Sequence, residues 1–186
     1  YNIHMATIIT LPNPLLRQKS NETAFDKRTE DLIAQLKSTL LATEGVIKGV
    51  GLSAVQIGIP LKAFLAYSAK SKKFLTFINP EIIWSSKSQT DGVPESKNKY
   101  EGCLSVPGLW AIITRPKIIK IKYQTENGLF QIRKFSGQTA TIIQHEYDHL
   151  AGILFIDRAL QQKSPIYELA KDEEGKEYLK EIKLNV

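Results

Sequence analysis

The sequence predicts an α+β fold: mixed or antiparallel strands packed around a helix that carries an HExxH motif, with an amphipathic helix near the N-terminus. Three observations carry this expectation. Leu32, Ile33, Leu36 and Leu40 lie on one stripe of a 3.6-residue period. A block of β-rich runs fills residues 61–135. A second helical stretch then follows the block instead of alternating with its strands, which argues against a βαβ array.

Element by element, the first helix is expected over Thr23–Glu44, capped by Asn21 or Thr23 and closed by Gly45. Strands are expected at Leu61–Tyr67, Lys73–Ile78, Glu81–Trp84, Leu109–Ile113, Lys117–Tyr123 and Leu129–Phe135. Glu126-Asn127-Gly128 joins the last two, and Asn-Gly is the strongest short hairpin signal. The polar stretch Ser85–Lys99 reads as a loop. The second helix is expected over Gly137–Ala151, closed by Gly152, with Ile143, Tyr147 and Leu150 on its core side. Ser164-Pro165 reads as the cap and first turn of a short third helix, and Lys180–Leu184 as a closing strand.

Composition narrows the class. At 186 residues the chain suits one catalytic domain over 1–186, with 1–4 either a remnant or a processed terminus ahead of Met5 and 165–186 a variable tail. No apolar run approaches the roughly 18–20 residues that cross a bilayer, and a single cysteine allows no intrachain disulfide. A reducing, cytoplasmic setting is the simpler expectation, with an organellar origin left open. The net charge of +6 comes from scattered lysines, which fits a solvated basic surface better than a nucleic-acid site.

The chemistry concentrates in His145-Glu146-Tyr147-Asp148-His149. At about 100° per residue, His149 lies only about 40° round from His145, one turn along. Two imidazoles can thus hold one metal ion while Glu146 reaches a water on it. The other soft donors are Cys103 and His4. Two histidines and Cys103 make three ligands, the number that leaves an open catalytic position, although carboxylates could complete a closed site. On its own, Cys103 reads equally well as a small buried hydrophobe. Gly49–Gly58 holds glycines that permit close backbone approach, but it is neither a Walker sequence nor a dinucleotide fingerprint.

Taken together, GVGLSAVQ (49–56), EGCLSVPG (101–108) and QHEYDHL (144–150) resemble the signature of the peptide deformylase family, in the same order. The likeness runs from Ile9–Pro14 to Gly152–Arg158. It implies that Cys103, His145 and His149 bind the metal and that Glu146 is general base, then acid. It also implies an oxyanion hole from the Gln56 amide and the Leu104 backbone N–H. Val50, Gly51, Trp110 and Ile142 are the implied substrate-binding residues, and Glu101 with Arg115 an ion pair steadying the cysteine loop. Asp148 fits a supporting or surface place better than a catalytic one.

The resemblance implies one divalent metal ion, Fe2+ natively, with Zn2+ or Ni2+ as substitutes. The substrate would be N-formyl-methionyl nascent peptides, acted on by a monomer with no DNA or membrane partner. Ser53 stands where the family usually has Ala, and Trp110 where several relatives carry an arginine. The tail departs most: Glu168–Lys183 holds six acids and four bases, which disfavours a phosphate-seeking helix. A transient ribosome contact stays open. A thiolate nucleophile at Cys103, a zinc-stabilised RNA-binding module and a broader metallopeptidase are the competing readings.

Overall fold

The computed structural model describes residues 5–43, 49–96 and 99–183. Helix α1 spans Lys27–Ala42 and buries Leu32, Ile33, Leu36 and Leu40, the stripe expected of it. It starts later than the sequence suggests. Asp26 is the cap, its carboxylate accepting the Thr29 N–H, while Thr23 is tied to Asn79 by paired backbone–amide hydrogen bonds. Gly45, the expected terminator, and His4 lie outside the described residues.

The main sheet follows from strand alternation. Strands β1 (Gly51–Ser53), β2 (Ala63–Ser68), β3 (Lys73–Ser85), β8 (Ile118–Gln124) and β9 (Phe130–Ser136) hydrogen-bond in the order β1-β2-β3-β8-β9, every pair antiparallel. In β2, Phe64 and Ala66 face one core cluster while Ala63 and Leu65 face the other. Period-two alternation thus buries both faces of that strand. Leu36 and Leu40 of α1 cover one face, and Ile142, Ile143 and Leu150 of the second helix cover the other. Completely burying one such side chain contributes about 1.5–3 kcal/mol.

Two expected strands, 73–78 and 81–84, are one strand. It bends at register shifts between Ile78 and Glu81 and between Ile82 and Trp84, where Asn79 has φ 46° and Pro80 cannot donate to the ladder. The Asn127-Gly128 hairpin forms as expected, with the Gly128 N–H donating to the Thr125 carbonyl at φ 75°.

A second sheet, β11-β10-β6-β5, uses β5 (Glu101–Cys103), β6 (Val106–Ala111), β10 (Ile166–Lys171) and β11 (Glu177–Ile182). The stretch 85–99 is not all loop. Within it, β4 (Gln89–Asp91) pairs with β7 (Thr114–Pro116), a partner distant in sequence that supplies the hydrogen bonds its polar residues lack locally.

Ser164-Pro165 ends a helix instead of starting one. Helix α3 is Phe155–Gln162, its C-cap Lys163 turns left-handed at φ 56°, and β10 begins at Ile166. Proline suits both places, which is why its position alone misleads. Of the expected closing strand Lys180–Leu184, Lys180–Ile182 belong to β11 and Leu184 lies outside the described residues; the hairpin of β10 with β11 is docked on β6. The architecture is therefore α+β with antiparallel sheets; the described parallel contact is the isolated bridge between Asn21 and Leu61.

Candidate metal centre

Helix α2, Gly137–Leu150, carries His145, Glu146 and His149. Ala140, Ile143 and Leu150 anchor it in the core, with Tyr147 packed alongside. That anchoring turns the polar stripe toward β5 and the turn after β1. Cys103 closes β5, and its Sγ lies 3.3 Å from His149 Nε2. One donor atom each from Cys103, His145 and His149 fall within 4.8 Å of one another. Imidazole and thiolate bonds of about 2.0–2.3 Å set tetrahedral ligand atoms about 3.5 Å apart, so the spacing suits one ion.

The electrostatics fit a cation as well. His145 Nδ1 lies 3.0 Å from Glu101 Oε2, an arrangement that leaves its Nε2 lone pair for a metal. Burial disfavours an imidazolium there, but hydrogen bonds with Cys103 and Glu101 outweigh it and raise the His145 pKa well above its usual value. The pocket between thiol and carboxylate thus favours positive charge. At His149, burial first and then His145 and Arg115 push the pKa well below the usual value, keeping the neutral ring that ligation needs. His149 Nδ1 is buried without a hydrogen-bond partner.

Behind the donors runs a chain of buried charge. Arg115 Nε and Nη2 donate to the two Glu101 oxygens at 2.7 and 3.0 Å, and its Nη1 donates to Asp148 Oδ2 at 2.9 Å. Arg158 Nη2 closes the chain on Asp148 Oδ1 at 2.6 Å. Burial alone would raise the Glu101 pKa, yet Arg115 and His145 bring it down to about 2. The Glu101–Arg115 pair is in place, and Asp148, a spacer inside the motif, is a buried bridge between two arginines.

Glu146 sits differently. Burial drives its pKa up to about 7, opposed by His145 and the Ser53 hydroxyl. Ser53 Oγ lies 2.7 Å from Glu146 Oε2 and 3.0 Å from the Glu146 carbonyl, and donates its one proton to this pair of acceptors. A Cβ at Gly51 would strike the Glu146 carboxylate, so only glycine admits this side chain.

The Ser53 N–H donates to Gln56 Oε1 at 2.8 Å, which assigns the amide's orientation. Gln56 Nε2 then donates to Ser105 Oγ at 3.1 Å and lies 3.6 Å from Cys103 Sγ.

A cavity of about 240 Å³ gathers Val50, Gly51, Gln56, Cys103, Leu104, Trp110, Ile142, His145 and Glu146 in its walls. His149 is 1% exposed and lies behind it. Ile142 belongs to the core cluster and to the cavity at once. Ser105 and Tyr100 were not singled out from the sequence. Ser105 ends the EGCLS run and could have been read from it; nothing local marks Tyr100.

Comparison with known proteins agrees with this geometry. The sequence model of the family described as polypeptide deformylase matches residues 5–165. The peptide deformylase of Pseudothermotoga lettingae is 40% identical over 148 residues, covering 79% of this chain and 78% of that protein. The crystal structure of the Thermotoga maritima peptide deformylase superposes with a TM-score of 0.73 at 34% identity, covering 83% of this chain and 97% of that one. A class I type b peptide deformylase from Acinetobacter baumannii, solved with Met-Ala-Ser bound, gives 0.72 at 26% identity over 83% of this chain and 98% of its own. Matches of this length and identity place the chain in the polypeptide deformylase family.

Proposed function

We infer that the protein is a metal-dependent hydrolase that removes the N-terminal formyl group from formyl-methionyl peptides of newly made proteins, releasing formate. The observation that carries this reading is the convergence of Cys103, His145 and His149 within 4.8 Å, beside a buried carboxylate and an open cavity. The three donors would hold one divalent ion. Fe2+ is the native ion in this reading, with Zn2+ and Ni2+ as working substitutes for a mixed sulfur–nitrogen set. When bound, the ion supplies Lewis acidity toward a water and toward the formyl oxygen.

The chain's own residues do the rest. Glu146 takes a proton from the attacking water and returns it to the peptide nitrogen as the C–N bond breaks. Burial, which raises the pKa of this carboxyl, eases its taking up the water's proton. Gln56 Nε2 and the Leu104 backbone N–H donate to the oxygen on which charge develops. Val50, Gly51, Trp110 and Ile142 enclose the methionine side chain. Residues 1–186 act in this reading as one catalytic unit, monomeric, in the cytoplasm where such peptides are made. No helix among the described residues is long and apolar enough to cross a membrane.

Formate release from formyl-Met-Ala-Ser, with acetyl-Met-Ala-Ser and unblocked Met-Ala-Ser untouched, is the expected result. Cleavage of internal peptide bonds instead would establish a broader metallopeptidase. Gln56→Leu is expected to lower kcat by about 10²–10³-fold, the usual loss for one oxyanion donor. Steady-state kinetics check this, and an unchanged kcat removes Gln56 from the oxyanion hole. Cys103→Ala is expected to lower bound metal well below one ion per chain. Metal analysis of the purified variant reads it directly, and full occupancy would strike the thiol from the ligand set.

A further inference from the structure

We propose that the C-terminal hairpin β10–β11 backs the substrate cleft: Tyr167 steadies an aromatic wall of Tyr100 and Trp110 that binds a large apolar or aromatic side chain downstream of the formyl-methionine. The inference rests on the deformylase reading above.

The hairpin is hydrogen-bonded to β6 with Tyr167 opposite Trp110 and Ile166 opposite Ala111. Register partners project from the same face of the sheet, with Cβ atoms about 4.5–5.5 Å apart. The Tyr167 ring meets Tyr100 edge-on, centroids 5.4 Å apart at 74°. Tyr100 and Trp110 both line the cavity that holds Cys103 and Glu146, whereas Tyr167 does not and acts from behind them. Trp110 is in turn pressed against the metal-site strand. A Cβ at Gly102 would come within 2.5 Å of its ring, so the indole lies on the backbone of the residue before Cys103. The hairpin therefore backs the Tyr100 ring directly and is paired to the strand that carries Trp110.

Pro107 and Leu109 also line the cavity. An extended peptide advances about 3.3 Å per residue and alternates its side chains. One of the two residues after methionine therefore faces a given wall of the cleft. Rings and aliphatic groups there favour a large apolar or aromatic side chain over a small or acidic one.

The test compares formyl-Met-Ala-Xaa and formyl-Met-Xaa-Ser, with Xaa as Phe, Leu, Ser or Asp, on wild type, Tyr167→Ala and Tyr167→Phe. Wild type is expected to prefer Phe over Ser in one series by about three- to tenfold, the preference lying in KM. Tyr167→Ala should reduce it to under about twofold while kcat and metal content hold, and Tyr167→Phe should restore it. The proposal is overturned by an absent preference in wild type, by its survival in Tyr167→Ala, by failure of Tyr167→Phe to restore it, or by an equal fall of kcat on every peptide. Should Tyr167→Ala not fold, Tyr100→Ser removes one ring of the wall itself, and a fully preserved preference there overturns the proposal equally. Wild type that releases no formate from any peptide contradicts the deformylase reading; wild type that releases it without preference contradicts this inference alone.

Discussion

Glu146→Gln is expected to keep its metal and lose about 10²–10⁴-fold in kcat, the usual contribution of a positioned general acid–base. The amide keeps the shape of the carboxylate, so Gly51 still accommodates it, and the Ser53 hydroxyl can still donate to its oxygen. What it lacks is a site to accept the water's proton. Because that proton moves only during the reaction, kcat and kcat/KM should fall together. Metal content and formate release on one preparation check this; a variant turning over within about threefold of wild type would remove Glu146 from proton transfer.

Arg115→Met is expected to destabilise the fold by about 3–5 kcal/mol, the cost of stripping the partner from a buried ion pair. Glu101 would lose its bidentate partner and Asp148 one of its two arginines. For a chain of this length such a loss lowers Tm by roughly 6–20 °C. Urea unfolding of both proteins measures it, and a loss under about 1 kcal/mol would show the guanidinium to be expendable.

The same pair predicts an acid limb to stability. Glu101 titrates at about 2 when folded, below its ordinary 4.5. A depressed carboxylate stabilises the fold completely above the unfolded value, and that contribution drains as pH falls through 4.5 toward 2. Thermal unfolding between pH 6 and pH 2 should show it, and Glu101→Gln should flatten that limb while starting from lower stability.

Much of the site could be read before the fold was known, because HExxH is a local pattern: helical periodicity alone brings His145 and His149 onto one face. Gln56 and Cys103 lie on other segments: the count of soft donors pointed to Cys103, and the resemblance to a known signature joined both to the helix. What escaped depends on partners remote in sequence. The Ser53–Glu146 bond spans 93 positions, and neither residue type announces the other. Likewise β4 hides in a polar stretch until Thr114–Pro116 arrives to pair with it. Asp26 caps α1 in place of Thr23, whose backbone is bound to Asn79 on β3 and whose hydroxyl meets that of Thr29. Tyr167 became visible as a neighbour of the cleft only once β10 was docked on β6.

The most direct test of the central claim removes and restores the metal. Protein stripped by chelator under anaerobic conditions should release no formate from formyl-Met-Ala-Ser, and activity should return in proportion to Fe2+ added, saturating at one ion per chain. Formate release that persists in full after the ion is gone would contradict the account and turn attention to Cys103 as a nucleophile.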